Sequence, residues 1–209
     1  MKTLKYFRLH KKEVQYSKEE TARWLSVIQS NVFWEKFVKN VSNKKERVYF
    51  DFKRTYNWWT PNRRNIKQSK LEVCKDVCSF ANERGGVLMI GITDILPRKI
   101  VGLEDVENKK KELHEILRTN IRKYNKVFEI VDVNLTDEKG INRTCIFIVI
   151  QQTKDVKSFV KRDGVLCYPK RESAGTIFLP KENIRQEKSR ITQDNYFFLR
   201  IIKSLRILN

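Results

Sequence analysis

The chain has 209 residues, with 44 Lys and Arg against 25 Asp and Glu, for a net charge of +19. That length gives one domain with a real core or two very small ones, and a charge this basic points to a polyanionic partner, nucleic acid before an anionic membrane. No run approaches the roughly 18 apolar residues of a membrane span, and the opening MKTLKYFRLHKKEVQYSK lacks the apolar stretch of a secretory signal, so a cytoplasmic protein is expected.

In chain order, Ser17 opens SKEE, an N-cap followed by acids. Trp24, Leu25, Ile28, Phe33, Trp34 and Phe37 then predict a helix, a bend near Ser30 and Asn31, and a second helical turn or two. Residues 47–52 read as a strand, and residues 53–70 as a loop broken by Pro61. Residues 69–84 carry Leu71, Cys74, Val77, Cys78 and Ala81 at helical spacing, stopped by Gly85 and Gly86. Residues 87–92 form a buried strand, residues 99–102 a short extended piece, and residues 104–124 a charged helix with Leu113, Ile116, Leu117 and Ile121 on one side. Residues 127–135 and 143–151 are two strands joined by the turn DEKG. Residues 157–160 and 165–168 flank Arg162-Asp163-Gly164, a hairpin signal. Residues 176–179 give a last strand, Pro180 begins a short helix, and residues 193–208 a C-terminal helix. The fold class is α+β, one mixed, mainly antiparallel sheet with helices packed on it. The expected organisation is an N-terminal helical extension over 1–45, the domain over 46–185, and a terminal helix over 186–209 that packs on the domain or on a partner.

Candidate chemistry starts at ERVYFDFK. Glu46 and Asp51 lie five residues apart, Lys53 two beyond, and Asp94 follows the glycine-rich ERGGVLMIGITD. On a strand Asp51 and Lys53 share a face. Glu46 joins them only from a turn before the strand or across a bulge. Asp94 sits just past the end of a strand, where functional side chains project. Carboxylates hold Mg²⁺ or Mn²⁺ through hard oxygens, and a lysine beside them offsets charge on a phosphate. The bland alternative leaves Glu46 an exposed acid and Asp94 a turn cap. Gly85, Gly86 and Gly91 do not form a phosphate loop, since no GK[ST] follows and they precede a strand. Cys74, Cys78, Cys145 and Cys167 lack the spacing of a disulfide framework or a zinc ribbon. Cys74 and Cys78 read as small buried hydrophobes in preference to a zinc site with His114.

The segment KRTYNWWTPNRRNIKQSK holds six basic residues, Lys53, Arg54, Arg63, Arg64, Lys67 and Lys70, and no acid, with Tyr56, Trp58 and Trp59 interleaved. Basic side chains contact phosphates and aromatic rings stack on unpaired bases. Two adjacent tryptophans cannot both face inward on a regular element, so at least one is expected at the surface. Arg162, Lys170 and Arg171, with Ser173 and Thr176, form a second basic cluster, read equally well as a solvated hairpin.

These residues together resemble the Schlafen core domain and the AlbA-like nucleic-acid-binding domain grouped with it. The pattern E-x4-[DE]-F-K is met by Glu46, Asp51, Phe52 and Lys53, and the helix-to-strand pattern S-A-F-A-N-T-x-G-G-x-L-x-I-G-[VI]-x-D by Ser79 through Asp94. A late Y-x-R-x-(x)-G-[ST] element is met by Tyr168, Lys170 or Arg171, Gly175 and Thr176. The resemblance runs from about Lys45 to Ile184. It implies a nuclease whose three acids, here Glu46, Asp51 and Asp94, cut structured RNA such as tRNA or rRNA with Mg²⁺ or Mn²⁺, with Lys53 stabilising the phosphate. Asp51 stands where the family usually has Glu, the zinc element of the animal proteins is not recognisable, and those proteins pair two lobes where this chain has length for one. A homodimer, or pairing with a related Schlafen-like subunit, is therefore expected. Two other readings stay open: a non-catalytic RNA- or DNA-binding module or nuclease subunit, and an adaptor that binds an acidic protein.

Overall fold

The run GVLMI is apolar at every position, as a strand covered on both faces requires. In the computed structural model, which describes residues 26–44, 49–56, 66–122, 128–153, 155–160, 164–172 and 175–190, this run is the central strand β2 (Gly86–Ile90), fully buried. The edge strand β1 (Phe50–Lys53) pairs with it in parallel, Asp51 opposite Leu88 and Lys53 opposite Ile90. On its other side β5 (Asn142–Ile150) runs antiparallel and is paired in turn with β4 (Phe128–Thr136), giving the order β1-β2-β5-β4. The sheet is mixed and mainly antiparallel, as expected. Two small sheets accompany it: β3 (Ile121–Arg122), β6 (Ser158–Val160) and β7 (Leu166–Cys167) in one, β8 (Pro169–Glu172) and β9 (Gly175–Phe178) in the other.

Alternation along the strands makes two cores. Phe50, Phe52, Val87, Met89, Phe147 and Val149 face helix α1 (Asn31–Val41), which buries Phe33, Trp34, Phe37, Val38 and Val41 against them. The Trp34 ring meets Phe147 edge-on at 5.0 Å, and its indole N–H donates to the Ile28 carbonyl at 2.7 Å. Leu88, Ile90, Ile146, Ile148 and Ile150 face the other way, onto α2 (Ile66–Asn82) and α3 (Val106–Asn120). Cys74 and Cys78 lie in this second core, and burial pushes the Cys74 thiol up to about 12. A last described helix, α4 (Lys181–Arg190), follows β9. Among the described residues, no helix is long and apolar enough to cross a membrane.

Three expectations are corrected. Beyond the expected bend the helix is longer than a turn or two: Ser30, its hydroxyl accepting from the Phe33 N–H at 3.3 Å, N-caps a full helix of 11 residues. The stretch 53–70 is not loop throughout, because α2 begins at Ile66. The charged helix stops at Asn120, since Ile121 adopts an extended backbone, is buried, and opens β3 by pairing with Phe159 of β6. The turn into β2 needs its two glycines. Gly85 holds φ +73°, and a Cβ there would lie 2.6 Å from the Ile150 carbonyl oxygen; at Gly86 it would lie 2.5 Å from the Phe80 ring. Residues 17–25 and 193–208 lie outside the described residues, so the first helix start and the C-terminal helix are not addressed.

Candidate carboxylate site and basic surface

Period-two alternation sends Asp51 and Lys53 off β1 on the side opposite Phe50 and Phe52, towards α2. Because α2 and the β8–β9 hairpin cover that edge, Asp51 is only 1% exposed. Its charge is met from two directions. Arg171 on β8 donates from Nη1 to Asp51 Oδ2 at 3.1 Å, and Lys53 Nζ stands 3.3 Å from the same oxygen. The Arg171 guanidinium carbon lies 4.9 Å from the centroid of the Phe80 ring, which fixes the plane of the fork. Lys53 keeps about a third of its side chain in solvent, so the cluster reaches the surface at that residue.

A second carboxylate enters from α2. Asp76 is 3% exposed and interacts electrostatically with both Asp51 and Lys53. Its carboxyl is pushed up to about 6, first by burial; Lys53 pulls it down, Asp51 pushes it further up, and Lys75 and Arg171 pull it down. The Tyr56 hydroxyl is likewise raised by burial and then by Asp76 and Asp51. Hydrogen bonds hold β8 against α2. Asn82 Nδ2 donates to the carbonyls of Lys157 and Pro169 at 2.8 Å each, and the Lys157 N–H donates to Asn82 Oδ1 at 2.7 Å. Thr176 Oγ1 sits 3.4 Å from Ser79 Oγ. Sequence reasoning missed Asp76. Its one signal is an acid three residues before Ser79, in a helical stretch otherwise rich in apolar residues.

Asp94 is exposed, at the start of a loop that leaves β2 beside the end of β1. The amides of Gly91 and Ile92 donate to the Lys53 carbonyl at 2.9 and 3.3 Å, so loop and strand are joined through their backbones. Glu46 lies outside the described residues. The donor chemistry of Asp51 and Asp94 suits a hard divalent cation. Among the described residues, which leave out Glu46, no three His, Cys, Asp or Glu side chains are grouped to hold a metal ion.

The basic residues divide. Arg54 is exposed beside Lys53. Lys70 is partly exposed and pairs with Glu112 at 3.0 Å. Lys170 lies 3.6 Å from Glu172 and 4.0 Å from Glu83. Two expected contacts to nucleic acid are corrected. Tyr56 is 3% exposed in the α2–α3 core, so its ring is not offered for stacking, and Arg171 is 6% exposed because it serves Asp51. Lys67 falls within α2, its side chain outside the description. Trp58, Trp59, Arg63, Arg64 and Arg162 lie outside the described residues.

Residues 46–178 match the family model described as Schlafen, AlbA_2. No curated protein matches the chain. Among solved structures, the crystal structure of the DIP2311 protein from Corynebacterium diphtheriae is similar with a TM-score of 0.51 and 18% identity, over 82% of this chain and 33% of that one. The likeness is one of fold, and this chain spans about a third of the length of that protein. The chain belongs to the Schlafen, AlbA_2 family, which makes it a nucleic-acid-binding or nuclease-like domain.

Proposed function

We propose that the protein is a divalent-metal-dependent endoribonuclease acting on structured RNA of the tRNA or rRNA kind. The observation that carries this reading is the Asp51–Lys53 pair: a buried carboxylate 3.3 Å from the amine of a partly exposed lysine, in the family's E-x4-[DE]-F-K segment. The net charge of +19 supplies the attraction that holds a phosphate backbone. Lys53, whose side chain is partly exposed, offsets the negative charge that develops on a phosphate under attack. Asp94 supplies a second carboxylate from the loop beside β1, and Glu46 enters as the third on the sequence alone. The Mg²⁺ or Mn²⁺ requirement rests on these hard oxygen donors and on the family; such an ion contributes a more acidic bound water and charge neutralisation.

A second reading has its own support. Two cations already neutralise Asp51, an arrangement suited to a structural ion pair in a non-catalytic nucleic-acid-binding module or nuclease subunit. Incubation with total tRNA, with Mn²⁺ and with chelator, separates the two. Metal-dependent fragments support the nuclease; retention of intact tRNA in a gel shift under all conditions supports the binding module. Pairing as a homodimer or with a related subunit, in the cytoplasm, is part of this proposal. Light scattering at micromolar concentration should then give about twice the chain mass.

A further inference from the structure

The loop that carries Asp94 is held at both ends. At its start, the Gly91 and Ile92 amides bond to the Lys53 carbonyl, and across its neck the Thr93 N–H donates to the Lys99 carbonyl at 3.0 Å while the Lys99 N–H donates to Thr93 Oγ1 at 2.8 Å. Asp94, Ile95 and Leu96 stand exposed at the tip. Arg98 turns the opposite way and is 8% exposed. Its Nη1 donates to the carbonyls of Ser42 and Lys44 at 2.8 and 2.6 Å, and its guanidinium carbon lies 4.1 Å from the centroid of the Phe52 ring. Ser42 is the C-cap of α1, where the helix dipole is negative and a cation is favoured. Phe52 stands between Asp51 and Lys53 in β1. One guanidinium therefore touches three segments at once: the Asp94 loop that bears it, the strand that bears Asp51 and Lys53, and the end of α1.

We propose that Arg98 is a positioning residue of the candidate site, a clamp that fixes the Asp94 loop against the Asp51–Lys53 end of β1. As a positioning role for cleavage this rests on the nuclease reading above; as a clamp on the loop it does not. A planar fork is needed, since it bonds two carbonyls while stacking on an aromatic face. Lysine keeps the charge and loses that geometry. A direct phosphate contact does not fit the side chain's burial, nor its donation to two backbone carbonyls.

The test compares wild type with Arg98→Lys and Arg98→Ala by hydrogen exchange without RNA, and by Mn²⁺-dependent cleavage with RNA. In both variants amides over 93–99 should exchange several-fold faster, on the order of 3- to 10-fold, while those of β2 and β5 keep their protection and report an intact fold. Cleavage should lose kcat on the order of 10- to 100-fold with KM for RNA held within about twofold, as a misplaced group predicts. If Arg98→Ala fails to fold, Arg98→Lys carries each comparison. Unchanged exchange over 93–99 overturns the clamp. Faster exchange with unchanged kcat overturns the positioning role, and so does a raised KM with a flattened salt dependence, which would make Arg98 a phosphate contact. A wild type that cuts no RNA sinks the nuclease reading and the positioning role with it, whereas the exchange comparison decides the clamp in either case.

Discussion

Arg171 reaches across 120 residues of chain to place its Nη1 3.1 Å from Asp51 Oδ2, both side chains under a tenth exposed. The bond ties the β8–β9 hairpin to the edge of the main sheet and decides what Asp51 can do. A carboxylate this buried depends on its cations to offset the loss of solvent. Its availability to any ligand is thus governed by a residue on another sheet.

Removing that cation should be expensive. Arg171→Met is expected to destabilise the fold by about 3 kcal/mol, because it removes the buried cation that donates to Asp51 Oδ2. Asp51→Asn should cost a similar amount by removing the carboxylate charge that faces Arg171. The double variant should cost clearly less than the sum, since the uncompensated charge is then gone. Urea unfolding of the four proteins measures this, and additive losses would show that the pair is not coupled.

The same edge yields a prediction on catalysis. Asp94→Ala, and separately Glu46→Ala, should abolish metal-dependent cleavage while RNA binding persists or tightens, since negative charge facing phosphates has been removed. Cleavage at the wild-type rate in both variants would remove these acids from the site.

Asp76 gives a pH dependence whose sign follows from its burial. Its carboxyl stands near 6 in the folded protein, against an ordinary value of 3.8. Between those values the folded state holds a proton that the unfolded state has released, so this group's contribution is fully present below about pH 4 and is lost as pH rises through about 6. The loss by pH 7 is on the order of 2–3 kcal/mol. Asp76→Asn should therefore gain on wild type between pH 4.5 and pH 7. Other groups, such as Asp132, lowered chiefly by its bond from Lys110, are common to both proteins and cancel in the difference. Urea midpoints at the two pH values decide it, and an identical difference at both would contradict the assignment.

What the sequence made legible follows from periodicity. The alternation of β4 and the shared face of Asp51 and Lys53 were readable because strand side chains repeat every second residue, and β2 and β5 because each carries a continuous apolar run. The partners of Asp51 were not. No local pattern tells that β8 will fold over β1, so Arg171 looked like one more cation on a solvated hairpin. Asp76 hid for the same reason, because an acid on a helix reads as solvent-facing until a second layer covers it. Tyr56 was misjudged by its neighbours in sequence: flanking cations suggested a surface, whereas its ring closes the α2–α3 core.

Binding should be carried by the basic segment that follows β1. Arg54 is exposed next to Lys53, and Arg63 and Arg64 extend the same acid-free stretch in sequence. Charge reversal at Arg63 and Arg64 together should weaken RNA affinity and shallow the dependence of log K on log salt, because each lost phosphate contact releases one counterion fewer. Arg54→Ala should do so to a smaller degree. Trp58→Ala or Trp59→Ala should cost about 1–3 kcal/mol for whichever ring stacks on a base, with the salt slope untouched. Stacking is thereby separated from charge: the tryptophan variants move affinity alone, and the arginine variants move affinity and slope together. Titration of a structured RNA at several salt concentrations reads both quantities, and unchanged affinity and slope across all these variants would place the RNA-binding face elsewhere on the domain.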